Sequence, residues 1–189
     1  MKKKVILVDM DDTLENFTEA WVDYANRRFG TSVAPEEITD WDPSVHFEGV
    51  SHDEMYDLIL EDDFYYTLKP LEDAAHYLKK IMDAGHEVLI VTSTQHQVVP
   101  IKMEQVLFRF FPFLTWDQVI VTSRKQMLRG DILIDDAPHN HIGGDYEKIL
   151  ITAPHNRHFD AEAHGMIRVD NWEEIYREVM RIAEEMCPL

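Results

Sequence analysis

The sequence predicts an α/β protein built on a doubly wound, parallel β-sheet. Short aliphatic runs, each the length of one buried strand, alternate along the chain with segments of helical periodicity. One segment breaks this alternation, since it is acidic, contains Pro35 and Pro43, and lacks any strand–helix–strand order. We therefore expect a core domain of residues 1–16 and 70–189, with a small, mainly helical cap of residues 17–69 inserted after the first strand.

The strands are predicted from aliphatic runs that end in polar residues. The first run, Val5-Ile6-Leu7-Val8, stops at Asp9 because aspartate is a poor strand former. Similar runs rich in Val, Ile and Leu follow, separated by turn residues such as Gly85. The expected strands cover residues 5–8, 87–91, 119–121, 132–134, 148–152 and 166–169.

The helices are predicted where apolar residues recur at helical spacing. Such residues recur at four-residue steps from Phe17 to Phe29, and Gly30 follows as a C-cap. Within the cap, Ser51 and Glu54 have the spacing of a capping box, which predicts that a helix begins there. The expected helices cover residues 17–29, 51–61, 71–84, 99–110 and 172–186.

The charge of the chain is strongly negative and unevenly spread. The formal net charge is −18, and residues 31–68 contain no Lys or Arg. A surface of this sign should repel polymeric nucleic acid and anionic membranes. A small phosphorylated molecule remains a possible partner, because one buried lysine and a metal ion can reverse the local field. The sequence leaves the oligomeric state open, a dimer included.

The predicted location is the cytoplasm. No apolar run approaches the roughly 20 residues that cross a bilayer, and the apolar stretch behind the N-terminal lysines is too short for a signal peptide. The single cysteine, Cys187, excludes an internal disulfide, which fits a reducing compartment.

Side chains suited to phosphate chemistry lie at the ends of three predicted strands. Because parallel strands end at one edge of a sheet, these groups can converge. Clustered carboxylates repel one another unless a cation or proton compensates, and Mg²⁺ is the usual partner of carboxylate oxygens. A solvated acidic turn is the alternative interpretation of the first cluster. The groups are Asp9, Asp11 and Asp12 after the first strand, Thr92 and Ser93 after the second, and Asp135 and Asp136 after the fourth, with Lys125 ten residues before Asp135.

These residue types match the needs of phosphoryl transfer. One carboxylate can attack phosphorus, a second can serve as acid and then base, and others can hold a metal ion. A hydroxyl group and a lysine can neutralise the nonbridging oxygens as charge develops.

In this order, the residues resemble the four motifs of the haloacid dehalogenase superfamily of phosphohydrolases. Within it, the chain is similar to the 5′(3′)-deoxyribonucleotidases, or type C 5′-nucleotidases. The matching motifs are Asp9-Met10-Asp11-Asp12-Thr13, Thr92, Lys125 and Asp135-Asp136, followed by the cap exit Phe64-Tyr65-Tyr66-Thr67-Leu68-Lys69-Pro70-Leu71 and by Thr152-Ala153-Pro154-His155-Asn156.

The resemblance implies a role for each matching residue. Asp9 would be the nucleophile that forms an aspartyl-phosphate, and Asp11 would protonate the leaving oxygen and then activate water. The carboxylates of Asp9 and Asp136 and the backbone carbonyl of Asp11 would hold Mg²⁺, with Asp135 in support. Thr92 and Lys125 would bind the phosphate, assisted by Ser93. The substrate class that follows is a nucleoside monophosphate.

The chain departs from this family at Asp12, where glycine is usual. Aspartate tolerates unusual backbone angles, so the turn can form.

The cap is also less well matched to the family. Phe17 and Trp41 are candidates to stack on a base, whereas Phe64, Tyr65 and Tyr66 suit the core of the cap. Histidine spacing does not predict a transition-metal site. The aromatic residues of the cap therefore bear mainly on substrate choice.

Two other functions remain compatible with the sequence. The first is a phosphatase for another small ester, such as a sugar phosphate. The second is a sensor or receiver-like module without catalysis, which would combine an acidic cluster, a hydroxyl group and a lysine. Asp11 favours a hydrolase, because a receiver does not need a leaving-group acid two residues after its phosphoacceptor.

Overall fold

The computed structural model describes residues 3–185 and contains a six-stranded sheet in the order β3-β2-β1-β4-β5-β6. Every neighbouring pair is parallel, so the predicted α/β fold with a parallel sheet is confirmed. The predicted strands are all present, with ends that differ by one residue. The strands are β1 (Val5–Val8), β2 (Glu87–Thr92), β3 (Val119–Val121), β4 (Ile132–Asp135), β5 (Glu147–Ile151) and β6 (Ile167–Val169).

Helices and short 3₁₀ turns connect these strands. The helices are α1 (Phe17–Phe29), α2 (His52–Asp57), α3 (Asp62–Tyr65), α4 (Ala74–Asp83), α5 (Val99–Lys102), α6 (Phe108–Phe110) and α7 (Trp172–Glu185). The 3₁₀ turns are Pro35–Glu37, Pro43–His46, Leu58–Leu60, Trp116–Gln118, Lys125–Met127, Pro138–His141, Pro154–Asn156 and Glu162–His164. Cys187, and the last residue of the helix expected over 172–186, lie outside the described residues.

Three helices differ from their predicted form. A π-helical segment, Met103–Leu107, joins α5 to α6 in place of a regular helix over residues 99–110. The prediction for α4 began at residue 71, but Asp73 has a φ of 58° and therefore cannot continue a right-handed helix. The Ser51 capping box of α2 is present, although the α-helix ends at Asp57 and continues as a 3₁₀ turn.

The sheet buries apolar side chains on both faces. Ile6 and Val8 of β1 belong to a large core with α1, α4, α7 and the cap, whereas Leu7 between them belongs to a smaller cluster with Leu133 and Tyr146 on the other side. This alternation follows from the two-residue period of a strand. Because both faces are covered, β1 is aliphatic throughout, which is typical of a central parallel strand.

The region after β1 contains short helices and has an aromatic core. Phe17 packs edge-on against Trp21 and Phe64, with ring centroids 5.7 and 5.2 Å away. Phe64 and Tyr65 are buried, whereas Tyr66 is 55% exposed and lies outside this core.

The chain leaves the core for the cap and returns to the core at neighbouring points, which we call the chain crossings. Asn16 N donates to Lys69 O at 3.0 Å, and Leu71 N donates to Leu14 O at 2.8 Å. We propose that the domain boundary runs through this point, at residues 16/17 and 69/70. Within the part of the chain that the structure describes, no helix is both long enough and apolar enough to cross a membrane.

The closing helix α7 is tied to the loop that follows β1. Trp172 is 1% exposed, and its Nε1 donates to the backbone oxygen of Thr13 at 2.8 Å. A buried carbonyl that loses its donor costs about 1–3 kcal/mol. We expect Trp172→Phe to lower the free energy of unfolding by about 2 kcal/mol, measured by urea denaturation.

Trp116→Phe is the matched control, because Trp116 is 54% exposed. It should change the free energy of unfolding by less than about 0.5 kcal/mol. Equal losses in the two variants would show that the Trp172–Thr13 hydrogen bond does not stabilise the fold.

Candidate active site

The candidate site lies at the carboxyl edge of the sheet, where the strand order reverses between β1 and β4. Asp9 follows β1, and its backbone N donates to Ile134 O at 2.9 Å, so the neighbouring strand supports it. One carboxylate oxygen from each of Asp9, Asp135 and Asp136 lies within 4.8 Å of the others. The structure thus brings Asp9 together with two consecutive acids that lie 126 and 127 residues further along the chain.

Lys125 lies between two of these carboxylates. Its Nζ is 2.6 Å from Asp9 Oδ1 and 2.6 Å from Asp135 Oδ2, and the lysine is 1% exposed. Burial lowers the pKa of Lys125, but the carboxylates of Asp9 and Asp135 outweigh burial and hold that pKa above its ordinary value. Lys125 therefore carries a positive charge at the centre of the acidic cluster.

Burial has the opposite effect on the acids. It raises the pKa of Asp9 to about 7, although Lys125 acts to lower that pKa. Burial also raises the pKa of Asp136 well above its ordinary value, and the neighbouring carboxylates of Asp135, Asp12 and Asp9 add to the rise. The acids are thus short of compensating positive charge, and the set offers hard oxygen ligands to a divalent cation.

Asp135 and Asp136 are held by the loops behind them. Asp135 is fully buried, and its Oδ1 accepts from Ala137 N at 2.9 Å and from Asn140 Nδ2 at 3.0 Å. The backbone oxygen of Asp136 accepts from Asn156 Nδ2 at 2.6 Å. These contacts hold Asp135 inside the cluster, whereas Asp136 lines the cavity between the acidic edge and the cap.

A second buried lysine contacts Asp11. Lys102 is 1% exposed, and its Nζ lies 2.5 Å from Asp11 Oδ1 and 3.2 Å from Thr92 Oγ1. The same Nζ lies 5.4 Å from the ring centroid of Phe17. Sequence reasoning missed Lys102, because a lysine in a predicted helix is usually solvated and nothing in the spacing joins it to Asp11.

Glu15 is a further buried acid that the sequence did not single out. It is fully buried, and neither carboxylate oxygen has a hydrogen-bond partner among the described residues. Burial raises its pKa well above the ordinary value, and the charge of Asp11 raises it further. Glu15 is therefore a desolvated carboxyl group close to Asp11.

Asp12 adopts the backbone conformation that glycine would supply, with a φ of 50°. Its carboxylate accepts hydrogen bonds from Thr18 N at 2.8 Å and from the Thr18 hydroxyl group. Asp12 therefore connects the acidic loop to the first turn of α1. Burial raises its pKa to about 6, although the hydrogen bonds from Thr18 lower it.

A cavity of about 420 Å³ lies between the acidic edge and the cap. Asp11, Ser93 and Lys102 line it from the core, and Phe17 and Trp41 line it from the cap. Thr92 is fully buried and is not among the residues that line the cavity. The volume falls in the range of sites for small molecules.

The two predicted aromatic contacts differ in their exposure. Phe17 is 9% exposed and belongs to the aromatic core of the cap as well as to the cavity wall. Trp41 is 57% exposed, and its ring meets His139 and His155 edge-on at centroid distances of 4.7 and 5.2 Å. The structure thus places Trp41 where the cap contacts the core.

His155 lies beside Asp136, an arrangement that histidine spacing did not indicate. Its Nε2 is 2.9 Å from Asp136 Oδ2, and its side chain is 5% exposed. Burial lowers the pKa of His155 to about 4, against the effect of its contact with the Asp136 backbone. The imidazole is therefore neutral in the folded protein.

Two named relatives align with this chain over nearly its whole length. It is 32% identical over 179 residues to a 5′(3′)-deoxyribonucleotidase of Bacillus subtilis (strain 168), covering 94% of this chain and 99% of that protein. A 5′(3′)-deoxyribonucleotidase of Clostridium acetobutylicum is 27% identical over 174 residues, covering 92% and 93% of the two chains.

Solved structures share the fold. A haloacid dehalogenase family hydrolase from Deinococcus radiodurans R1, with bound phosphate and sodium, has a TM-score of 0.67 at 13% identity, with 96% of each chain covered. A haloacid dehalogenase-like hydrolase from Streptococcus pneumoniae has a TM-score of 0.65 at 13% identity, with 94% and 98% covered.

The family described as "5′ nucleotidase, deoxy (Pyrimidine), cytosolic type C protein" matches residues 3–185, which span both the core and the cap. The matched range includes the acids and lysines at the carboxyl edge of the sheet. The chain belongs to this 5′(3′)-deoxyribonucleotidase family, and its fold is that of haloacid dehalogenase-like hydrolases.

Proposed function

We propose that the protein hydrolyses deoxyribonucleoside monophosphates to nucleoside and phosphate through an aspartyl-phosphate on Asp9. The activity class follows from the family, whose members are phosphoric monoester hydrolases. One observation carries the assignment of residues: Asp9 and Asp11 are each paired with their own buried lysine, and Asp11 and Asp136 line the cavity beside them. Two carboxylates in such separate surroundings can take separate roles.

In the first step, a carboxylate oxygen of Asp9 attacks phosphorus, and the bond from phosphorus to the leaving oxygen breaks. Asp11 gives its proton to that oxygen, so the product leaves as a neutral alcohol. Lys125 lies 2.6 Å from Asp9, where its charge stabilises the oxygens around the reacting phosphorus. Thr92 and Ser93, at the end of β2, supply hydroxyl groups for the phosphate.

In the second step, the ionised Asp11 takes a proton from water, and the water oxygen attacks the phosphorus of the aspartyl-phosphate. The bond between phosphorus and the Asp9 oxygen breaks, which restores the Asp9 carboxylate and releases phosphate. Lys102 holds the Asp11 carboxylate at 2.5 Å in both steps, so the same side chain can give and then take the proton.

The cluster of Asp9, Asp135 and Asp136 suits Mg²⁺. Its oxygens are close together, and burial raises the pKa of Asp9 and Asp136, as expected where a cation would relieve the repulsion. We propose that the carboxylates of Asp9 and Asp136 and the backbone carbonyl of Asp11 hold the ion. When bound, the ion supplies positive charge to the phosphoryl oxygens.

The cap favours a monophosphate with a planar base. Residues 31–68 contain no Lys or Arg that could bind a second phosphate. We propose that Phe17 and Trp41 contact the base, each contributing about 1 kcal/mol by stacking.

The predicted cytoplasmic location stays a prediction.

Phosphate release should be Mg²⁺-dependent and should favour dUMP, dTMP, dCMP or dGMP over UMP and over sugar phosphates. The panel includes 3′-dUMP, which separates 3′ from 5′ esters. Asp9→Asn should lower turnover by at least about 1,000-fold, because the nucleophile is lost. The measurement is inorganic phosphate released with Mg²⁺ and with EDTA.

Asp53→Asn is the control for this panel, since Asp53 has a side chain that is 97% exposed. Turnover of sugar phosphates alone would keep the roles of Asp9 and Asp11 but contradict the nucleotide assignment. Absence of turnover on every ester would favour a sensor.

Stability should depend on pH and Mg²⁺ together. A carboxyl group whose folded-state pKa is raised stabilises the fold at low pH and loses that contribution as pH rises from about 4 through its folded-state pKa. Asp9, with a pKa of about 7, is such a group. Without metal, the protein should therefore be less stable at about pH 8 than at about pH 5, and Mg²⁺ should raise the Tm mainly at pH 8.

Asp136→Asn removes one of these acids and should reduce both the pH dependence and the rise with Mg²⁺. Asp53→Asn makes the same change of charge at an exposed position and should leave both effects in place. A metal-free protein that gains stability between about pH 5 and about pH 8 would contradict the proposed balance of charges.

Lys102→Met tests whether Lys102 holds Asp11 in position for proton transfer. Methionine keeps most of the buried volume but removes the charge that holds Asp11, so we expect kcat to fall by about 100-fold with a smaller change in KM. Lys79→Met is the control, because Lys79 is half-exposed and pairs with Asp83 on α4. Equal kcat values for the two variants would remove Lys102 from the mechanism.

A further inference from the structure

The loop that follows β5 holds the backbone of Asp136. Asn156 is 1% exposed, and its Nδ2 donates to Asp136 O at 2.6 Å and to Ile151 O at 2.8 Å. Its Oδ1 accepts from Ala153 N at 3.2 Å and from Arg168 Nη1 at 3.0 Å. With all its polar atoms used in this way, Asn156 fixes the loop to the chain immediately after β4.

The residue before it contacts the side chain of the same acid. His155 Nε2 lies 2.9 Å from Asp136 Oδ2, a close contact that lacks the geometry of a hydrogen bond. Two consecutive residues of the loop thus contact both the backbone and the carboxylate of Asp136. Such outer contacts orient a carboxylate toward a metal ion and commonly affect metal affinity.

The same loop also holds the cap. The Arg157 guanidinium donates to the backbone oxygen of Glu36 in the cap, and its Nε donates to Pro154 O at 3.0 Å within the loop. Trp41 of the cap lies edge-on against the His155 ring at 5.2 Å. Residues 153–157, which we name the connector loop, therefore contact the cap on one side and Asp136 on the other.

We propose that the connector loop couples two events: the packing of the cap against the loop, here called the seated cap, and the binding of a divalent cation at Asp136. Each event favours the other, and His155 is the positioning residue. A seated cap places Trp41 against His155, and His155 then holds the Asp136 carboxylate in one orientation. By linkage, a bound cation favours the seated cap to the same extent. The proposal rests on the cation site of the proposed function but not on the identity of the nucleotide.

Calorimetric titration with Mg²⁺ alone, without nucleotide, tests the proposal. Arg157→Gln and Trp41→Ala remove contacts to the cap and touch none of the proposed metal ligands, yet each should weaken Mg²⁺ binding by about fivefold. The double variant should lose less than the product of the two, because both changes act through one loop. His155→Gln should weaken binding by about 10-fold.

Arg177→Gln is the matched control, since Arg177 pairs with Glu173 on the distant helix α7. It should bind Mg²⁺ like the unaltered protein. If Arg157→Gln and Trp41→Ala also bind within about twofold of the unaltered protein, the linkage is absent, whatever His155→Gln does. If the unaltered protein binds no Mg²⁺, the proposed cation site itself fails, which is a separate result.

Hydrogen exchange gives a second readout that needs no variant. Mg²⁺ should slow exchange of backbone amides in residues 35–47 of the cap by more than it slows exchange in α7, which reports on global stability. In Arg157→Gln the slowing in residues 35–47 should be smaller. Equal effects of Mg²⁺ on the cap and on α7 would overturn the proposal.

Discussion

The fold depends on balancing the charge of carboxylates that are buried together. Removing a carboxylate from water is costly unless it is paired and hydrogen-bonded. Lys125 and Lys102, each 1% exposed, provide the positive charge for Asp9, Asp135 and Asp11. Truncating one member of such a pair leaves the other uncompensated, so each lysine matters to folding as well as to chemistry. Any substitution at this edge of the sheet therefore acts on both properties at once.

The parallel sheet is what makes this balance possible. Lys125, from a 3₁₀ turn before β4, reaches Asp9 after β1 and Asp135 at the end of β4, and Lys102, from the end of α5, reaches Asp11 after β1. β1 lies inside the sheet with a neighbour on each side, so the residue that follows it is supported from both directions. A site at the reversal of strand order thus draws on several elements without a long loop.

Much of the sheet could be predicted, because aliphatic runs ending in polar residues mark buried strands and one edge collects their ends. The acids at the ends of β1 and β4 followed from that rule, whereas Lys125 followed from the resemblance of the motifs. Lys102 and the contacts of His155 could not be predicted, since they join residues 91 and 19 positions apart through packing rather than through a local pattern. The π-helical segment before α6 was also missed, because its apolar spacing resembles that of an ordinary helix.

The adjacent chain crossings at Asn16 and Lys69 have an evolutionary consequence. Because the cap leaves and rejoins the core at neighbouring points, a change of cap length need not move the strands apart. Insertions or deletions in the cap that keep α1 and its contacts with the core would leave the strand order unchanged. Selection can therefore alter the substrate range through the cap while the hydrolytic groups stay in place.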